Sequence, residues 1–274
     1  MVPYAVAGFL LIVGASFVRG AKDKYQDFCV GAAIPIAVLL LLPFGYVTGL
    51  LCPRTLDASL RQADLALHLD GFAMTSWLIR RGWYFWVAPV YYSLPLVMAV
   101  AWCLERSRAL LRVSAVGPLL ALPFYLLVPA AGPEYAFHDF PQPDASAVAA
   151  AASHPRNCMP SMHVAWALLL FMNAQNRAWR TLLLFYAALT SIATVAGGEH
   201  YFVDVIAAVP FALGVQWFVD RFWAQIVLRV RRLDLRIVRK PSTKRIAEGM
   251  TPSTRGDGFP APTKRSHASV TLAK

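Results

Sequence analysis

Asn157-Cys158-Met159-Pro160-Ser161-Met162-His163 leads into one apolar run, and Gly197-Gly198-Glu199-His200-Tyr201-Phe202-Val203-Asp204 leads into another. Between the two elements the apolar sequence is interrupted by one short basic turn, Asn176-Arg177-Ala178-Trp179-Arg180. Run, turn and run make a membrane hairpin, so His163 and His200, 37 positions apart, return to the same face of the bilayer. Ionisable side chains at membrane depth are costly to keep, which makes both histidines functional candidates. His200 and Asp204 stand four residues apart on one helical face, where a carboxylate can orient an imidazole.

The rest of the chain fits this reading. Of 274 residues, 58% are hydrophobic and 15% charged, against about 25% charged in a soluble domain. Mean hydropathy is +0.50. The composition predicts an all-α fold, a polytopic bundle of six to seven transmembrane helices. The net charge of +11 is not read as nucleic-acid binding, because 13 of 26 Lys and Arg lie from Arg221 onward. A basic tail beside a last hydrophobic run is an orientation signal and a contact for anionic lipid. Cys29, Cys52, Cys103 and Cys158 show no metal-ligand spacing and are assigned no role.

Spans are expected at 3–18, 28–51 (with kinks at Pro35 and Pro43), 83–104, 113–131, about 163–175, 180–195 and 203–223. No signal peptide is expected at the amino terminus. Residues 53–82 read as an amphipathic interfacial segment, with Leu56, Leu60, Ala63 and Leu67 on one face and Asp57, Arg61, Asp64 and His68 on others. It is closed by Asp70-Gly71 and serves either as a roof over the site or as a connector. Trp83, Tyr84 and Trp86 anchor the third span at an interface. Gly132 to Met159 is a long polar loop, a length usually functional or disordered. Ile226, Val230, Leu233 and Ile237 could line a basic interfacial helix, and 241–274 reads as disordered. Three regions follow: membrane helices in 1–112, a catalytic core at 113–223, and a basic tail at 224–274.

Charge sets the orientation. One side of the drawn topology holds 21 Lys and Arg and the other five, Arg54, Arg61, Arg80, Arg81 and Arg156. The positive-inside rule then puts the carboxyl terminus in the cytoplasm and both histidine elements on the extracytoplasmic face.

Two histidines and an aspartate suit phosphoryl transfer: one imidazole as nucleophile, a carboxylate fixing its tautomer, the second imidazole as acid. Amides at the start of the fifth helix would bind phosphate oxygens. Acyl transfer through Ser161 is the weaker chemistry, since a serine two positions from His163 has no defined geometry towards it.

Pro160-Ser161-Met162-His163 followed by His200-Tyr201-Phe202-Val203-Asp204 resembles the type 2 phosphatidic acid phosphatase superfamily, and in particular its inositol phosphorylceramide synthase branch. That branch has Pro-Ser-Leu-His where phosphatases have Pro-Ser-Gly-His, and a closely similar His-Tyr-Phe-Val-Asp element. The resemblance spans roughly Gly132 to Trp223. It implies an integral membrane phosphotransferase acting on a lipid phosphate or phospholipid, needing neither cofactor nor metal. His200 would carry a phosphohistidine, Asp204 would orient it, and His163 would protonate the leaving oxygen. Substrate contacts are implied for Ser161, Met162, Arg156, Tyr135 and Thr194.

The departures carry information. Family phosphatases have lysine and arginine in a first motif, where this chain has Gly132-Pro133-Glu134-Tyr135, and an arginine six residues before the nucleophile, where it has Thr194. A phosphomonoester can carry two negative charges and a diester one, so a cation-poor site favours a diester donor. Blander readings stand beside these. Ser161 can be a helix cap, Glu199 a solvated residue, Tyr135 and Tyr201 wall aromatics, and His138 and His154 loop residues, while Gly197-Gly198 is expected to make a tight turn that lets backbone approach the phosphate. Three further alternatives are a lipid phosphate or polyprenyl diphosphate phosphatase, a metal site made by His163, His200 and Asp204, and a non-catalytic scaffold.

Overall fold

The computed structural model describes residues 6–8, 10–11, 47–52, 54–105, 107–141 and 155–238. The first two expected spans fall almost entirely outside them, as do His154 and the 241–274 tail. The described residues are helical and contain no strand. The helices labelled here are α1 (Asp57–Ala66), α2 (Gly71–Arg80), α3 (Tyr84–Tyr92), α4 (Leu94–Glu105), α5 (Arg108–Leu127), α6 (Pro133–Ala136), α7 (Met162–Asn173), α8 (Arg177–Ala196) and α9 (Phe202–Val238). Two compact units are seen, Met1–Ile226 and Val227–Lys274, and the features described below lie in the first.

Three helical stretches are long and apolar enough to cross a bilayer: Ala109–Leu127, Arg177–Ala196 and Phe202–Phe222. The expected span at 83–104 is instead two helices, α3 and α4, bent by 56° at Ser93. Pro89 lies inside α3 and Pro95 opens α4, and each lacks an N–H for the helical ladder. The break is repaired locally. The Val90 carbonyl accepts from the Ser93 hydroxyl (2.8 Å) and from the Tyr186 hydroxyl (3.2 Å), as a broken membrane helix requires. At 12 residues, α7 is too short to span. The non-helical stretch before it carries its backbone through protein, with Arg156, Cys158, Pro160 and Ser161 all buried.

The core lies between α4, α5, α7, α8 and α9. Ala121, Ala165, Ala167, Ala208 and Ala212 are essentially inaccessible and let the helices approach closely. Polar pairs tie them together, with Asn173 donating to Gln216 Oε1 at 2.8 Å and the Trp166 indole to the Ser114 carbonyl at 3.3 Å. The outer stripe of α8, Leu182, Phe185, Leu189 and Ile192, is 41–65% exposed, a lipid-facing surface for a helix of this length. At the end away from the histidines, Glu105 accepts from the amides of Gln175 and Asn176 and holds the α7–α8 turn.

The 53–82 segment differs from its expected form in two ways. It is two helices, because Asp70 begins α2, its carboxylate accepting from the Ala73 amide at 3.0 Å. The buried face of α1 carries Asp57, Leu60 and Asp64, whereas Leu56, Leu65 and Leu67 are 40–53% exposed. The carboxylates point inward because they have backbone to satisfy. Asp57 accepts from the amides of Ala131 and Gly132 and from the Tyr201 hydroxyl (2.8 Å). Asp64 accepts from the amides of Phe202 and Val203, both at 2.8 Å, capping α9 from another helix. Asp64→Ala should cost about 1–2 kcal/mol. The measurement is the thermal midpoint in detergent, which should fall by a few degrees and recover in Asp64→Asn; an unchanged midpoint would mean that the carboxylate does not cap.

Candidate active site

Four chain ends meet at one end of the bundle: the exit of α5, the entry of α7, the exit of α8 and the entry of α9. They are laced together by backbone. The Cys158 amide donates to the Ala130 carbonyl, the Ser161 amide to the Asp204 carbonyl, and the Glu134 amide to the Gly198 carbonyl. Two glycines permit the crossing. A Cβ on Gly132 (φ +101) would sit 2.6 Å from the Glu199 carbonyl oxygen, and one on Gly198 (φ +71) 2.5 Å from the Phe140 ring. Gly198 thus makes room for protein. The first part of the long polar loop is correspondingly ordered by packing, with Phe137 and Phe140 edge-on to Phe72, which Arg61 covers at 3.8 Å.

This frame brings His163, His200 and Asp204 together. The two imidazole centroids are 6.4 Å apart, and both side chains are more than nine-tenths buried. His163 opens α7 and stacks on Tyr91 of α3 at 3.9 Å; its Nε2 has no hydrogen-bond partner among the described residues. His200 lies in the turn after α8, where its amide and that of Glu199 both reach the Thr194 carbonyl. Its Nδ1 is 3.6 Å from Asp204 Oδ2. That oxygen accepts from the Tyr201 amide (2.8 Å) and from the Cys158 thiol (2.8 Å), and Asp204 Oδ1 is buried without a partner among the described residues.

The remaining expected site residues are placed unequally. Ser161 stands at the N-cap position of α7 without making a side-chain cap bond, and its buried hydroxyl has no partner among the described residues. Arg156 is buried, with its Nε likewise unpartnered. Met162 turns its side chain into the core against Gly117, which leaves its backbone as the part nearest the site. Thr194 is fully buried, its hydroxyl donating to the Ser191 carbonyl, so it shapes the His200 turn through its own carbonyl. Tyr135 donates to Glu199 Oε1 at 3.3 Å.

Glu199 is partly buried beside Glu134, unlike a freely solvated residue. Burial pushes the Glu199 carboxyl up, and the burial of Glu134, with Glu199 next to it, pushes that carboxyl up to about 7. The folded protein therefore keeps on Glu134 a proton that the unfolded chain, titrating near 4.5, releases. This contribution to stability is complete below the unfolded value and is lost as pH rises through about 7. Glu134→Gln should flatten that decline in a pH series of unfolding midpoints; identical slopes in both proteins would contradict it.

Sequence reading passed over Tyr91, Cys158, Asp57 and Asp64. Burial, then the neighbouring Asp204, push the Cys158 thiol well above its ordinary range, so it remains a protonated donor. The groups gathered closely enough to share an ion are Cys158, His200 and Asp204, with donor atoms within 4.8 Å of one another.

Two buried histidines and a buried aspartate thus meet at one end of a bundle of helices apolar enough to cross a membrane. The chain belongs to the PAP2 superfamily, whose model matches residues 58–218. It is accordingly an enzyme of phosphatase or phosphotransferase type, embedded in a membrane and directed at lipid. The match begins in α1, far upstream of Gly132, so the helices carrying Asp64 and Tyr91 fall within the family's region. No curated protein and no solved structure matches the chain.

Proposed function

We propose that the enzyme is a phosphotransferase that moves a phospho-head group from a lipid donor to an alcohol acceptor through a phosphohistidine on His200. His200 Nε2 attacks phosphorus, and Asp204 holds the proton of the imidazole on Nδ1. His163 gives a proton to the departing lipid oxygen, then takes one from the acceptor hydroxyl as that oxygen attacks the phosphohistidine. The observation that carries this reading is the pairing of two buried imidazoles, their centroids 6.4 Å apart, with Asp204 beside Nδ1 of one of them. Ser161, the Met162 amide and Arg156 would hold its oxygens, with Thr194 and Tyr135 shaping the wall.

The donor is proposed to be a phosphodiester. Among the described residues Arg156 is the one buried lysine or arginine, and Glu134 and Glu199 stand close by. A dianionic monoester would meet too little positive charge there. The branch resemblance suggests a reaction like that of inositol phosphorylceramide synthase. The charge bias of the loops supports a site on the extracytoplasmic face and a carboxyl terminus inside. With a phosphomonoester or diphosphate donor and water as acceptor, the same residues would give a lipid phosphatase. Purified protein is offered labelled phosphatidylinositol, phosphatidic acid and a polyprenyl diphosphate, each with and without ceramide or diacylglycerol. Acceptor-dependent transfer from the diester is expected; free phosphate from the monoester or diphosphate, without transfer, would leave the phosphatase.

A further inference from the structure

We propose that Cys158, His200 and Asp204 form a binding site for a thiophilic divalent cation of the zinc class, and that an ion bound there switches the enzyme off. The binding half stands on geometry alone; the switching half rests on His200 being the nucleophile.

Cys158 Sγ lies 2.8 Å from Asp204 Oδ2 and 3.5 Å from His200 Nδ1, and Nδ1 lies 3.6 Å from Oδ2. A tetrahedral zinc ion, with bonds of about 2.3 Å to sulfur and 2.0–2.2 Å to nitrogen and oxygen, sets its ligand atoms roughly 3.3–3.6 Å apart. Two of the three separations are already of that size. The third is short because the thiol donates to the carboxylate, and it would need to open by less than ~1 Å. A cation entering between sulfur and oxygen displaces the thiol proton and replaces the bond that holds the pair together.

Two other features fit an ion. Asp204 Oδ1 is buried and unpartnered among the described residues, leaving the carboxylate with unused acceptor capacity beside the other two donors. A small cleft lined by Arg61, Asp64, Gly71, Phe72 and Pro133 also borders His200. One thiolate, one imidazole and one carboxylate form a set that selects zinc, cadmium or cobalt over magnesium and calcium, which seek oxygen cages. Three protein ligands leave a fourth position for water.

The balance of the step gives the switch. The ion takes the thiolate of Cys158, whose proton goes to solvent, and the lone pair of His200 Nδ1. The proton left on a neutral imidazole must then sit on Nε2. That nitrogen no longer offers a lone pair to phosphorus. The ion therefore disables the nucleophile without touching the substrate.

The test titrates metal-free, full-length protein in detergent with cobalt(II), reading the thiolate-to-cobalt charge-transfer band and the bound stoichiometry. One ion per chain with the band is expected for the wild type, and equally for Cys52→Ser and Cys103→Ser, whose thiols are half-buried outside the site. Cys158→Ser should lose the band and bind at least ~100-fold more weakly, since even an outer partner of a ligand can be worth that much. His200→Ala should also weaken binding, which reads the imidazole independently of the thiol. No band in the wild type, or a band that survives in Cys158→Ser, would overturn the site. Equimolar zinc should block formation of the His200 adduct and a chelator should restore it; zinc bound with undiminished adduct would overturn the switch. A metal-free wild type that forms no adduct at all would count against the proposed function and leave the site to be judged by its cobalt band.

Discussion

Replacing His200 with alanine should lower kcat/KM by at least ~10⁴-fold, about 5.5 kcal/mol of transition-state stabilisation, for every donor the enzyme accepts. The size follows from the position of the ring. His200 is held from both sides, by the Thr194 carbonyl on its amide and by Asp64 capping the helix that begins two residues later. The cavity left by the imidazole would lie in a frame otherwise maintained, so the loss would be chemical. A thermal midpoint close to that of the wild type should accompany it. Retention of more than a few per cent of activity in a folded His200→Ala protein would rule out histidine nucleophilic catalysis.

His163→Ala should produce the next largest effect, and its size should depend on the substrate. General acid assistance is worth roughly 10²–10⁴-fold when the departing oxygen is a poor leaving group and much less when it is a good one. A lipid alkoxide needs the proton; a nitrophenolate hardly does. Single-turnover adduct formation should therefore fall by the larger factor with a natural lipid donor and only slightly with a nitrophenyl phosphodiester. Equal losses on both would assign His163 to positioning. Its stacking on Tyr91 gives a second handle, because Tyr91→Ala would leave the ring in place chemically but free to turn, and should mimic a weaker form of the same leaving-group dependence.

Much of the bundle was legible because hydropathy reports directly on membrane helices. The runs at 109–127, 177–196 and 202–222 are each apolar and each form one helix, the first with Pro118 and Pro123 inside it and the last with Pro210. The 83–104 run is just as apolar, and hydropathy cannot show that Pro89 and Pro95 divide it at Ser93. The histidine elements were legible from short-range spacing. Tyr91 was not, since nothing in the sequence near it shows that α3 would pass beside His163. Cys158 lay within the quoted motif, but a single thiol without a metal spacing carries no signal until packing sets it against Asp204.

The segment around α1 offers a different lesson. Polar residues on an amphipathic helix are conventionally turned to water, and Asp57 and Asp64 were read that way. Their spacing with Leu60 places all three on one stripe, and that stripe is the buried one. Where four chain ends converge, the amides of Ala131, Gly132, Phe202 and Val203 find their acceptors in carboxylates from a neighbouring helix. An aspartate pair at that spacing beside a site of converging loops is therefore a packing signal in its own right.

The most direct measurement is the location of the covalent intermediate. Wild-type enzyme is mixed with a phosphorus-labelled lipid diester in the absence of acceptor, quenched under alkaline conditions that preserve phosphohistidine, and digested for peptide mapping. The account predicts one labelled peptide with the modification on His200, formed more slowly in His163→Ala and absent in His200→Ala. Label on His163, Ser161 or Cys158, or breakdown of the donor with no labelled enzyme at any time, would contradict it.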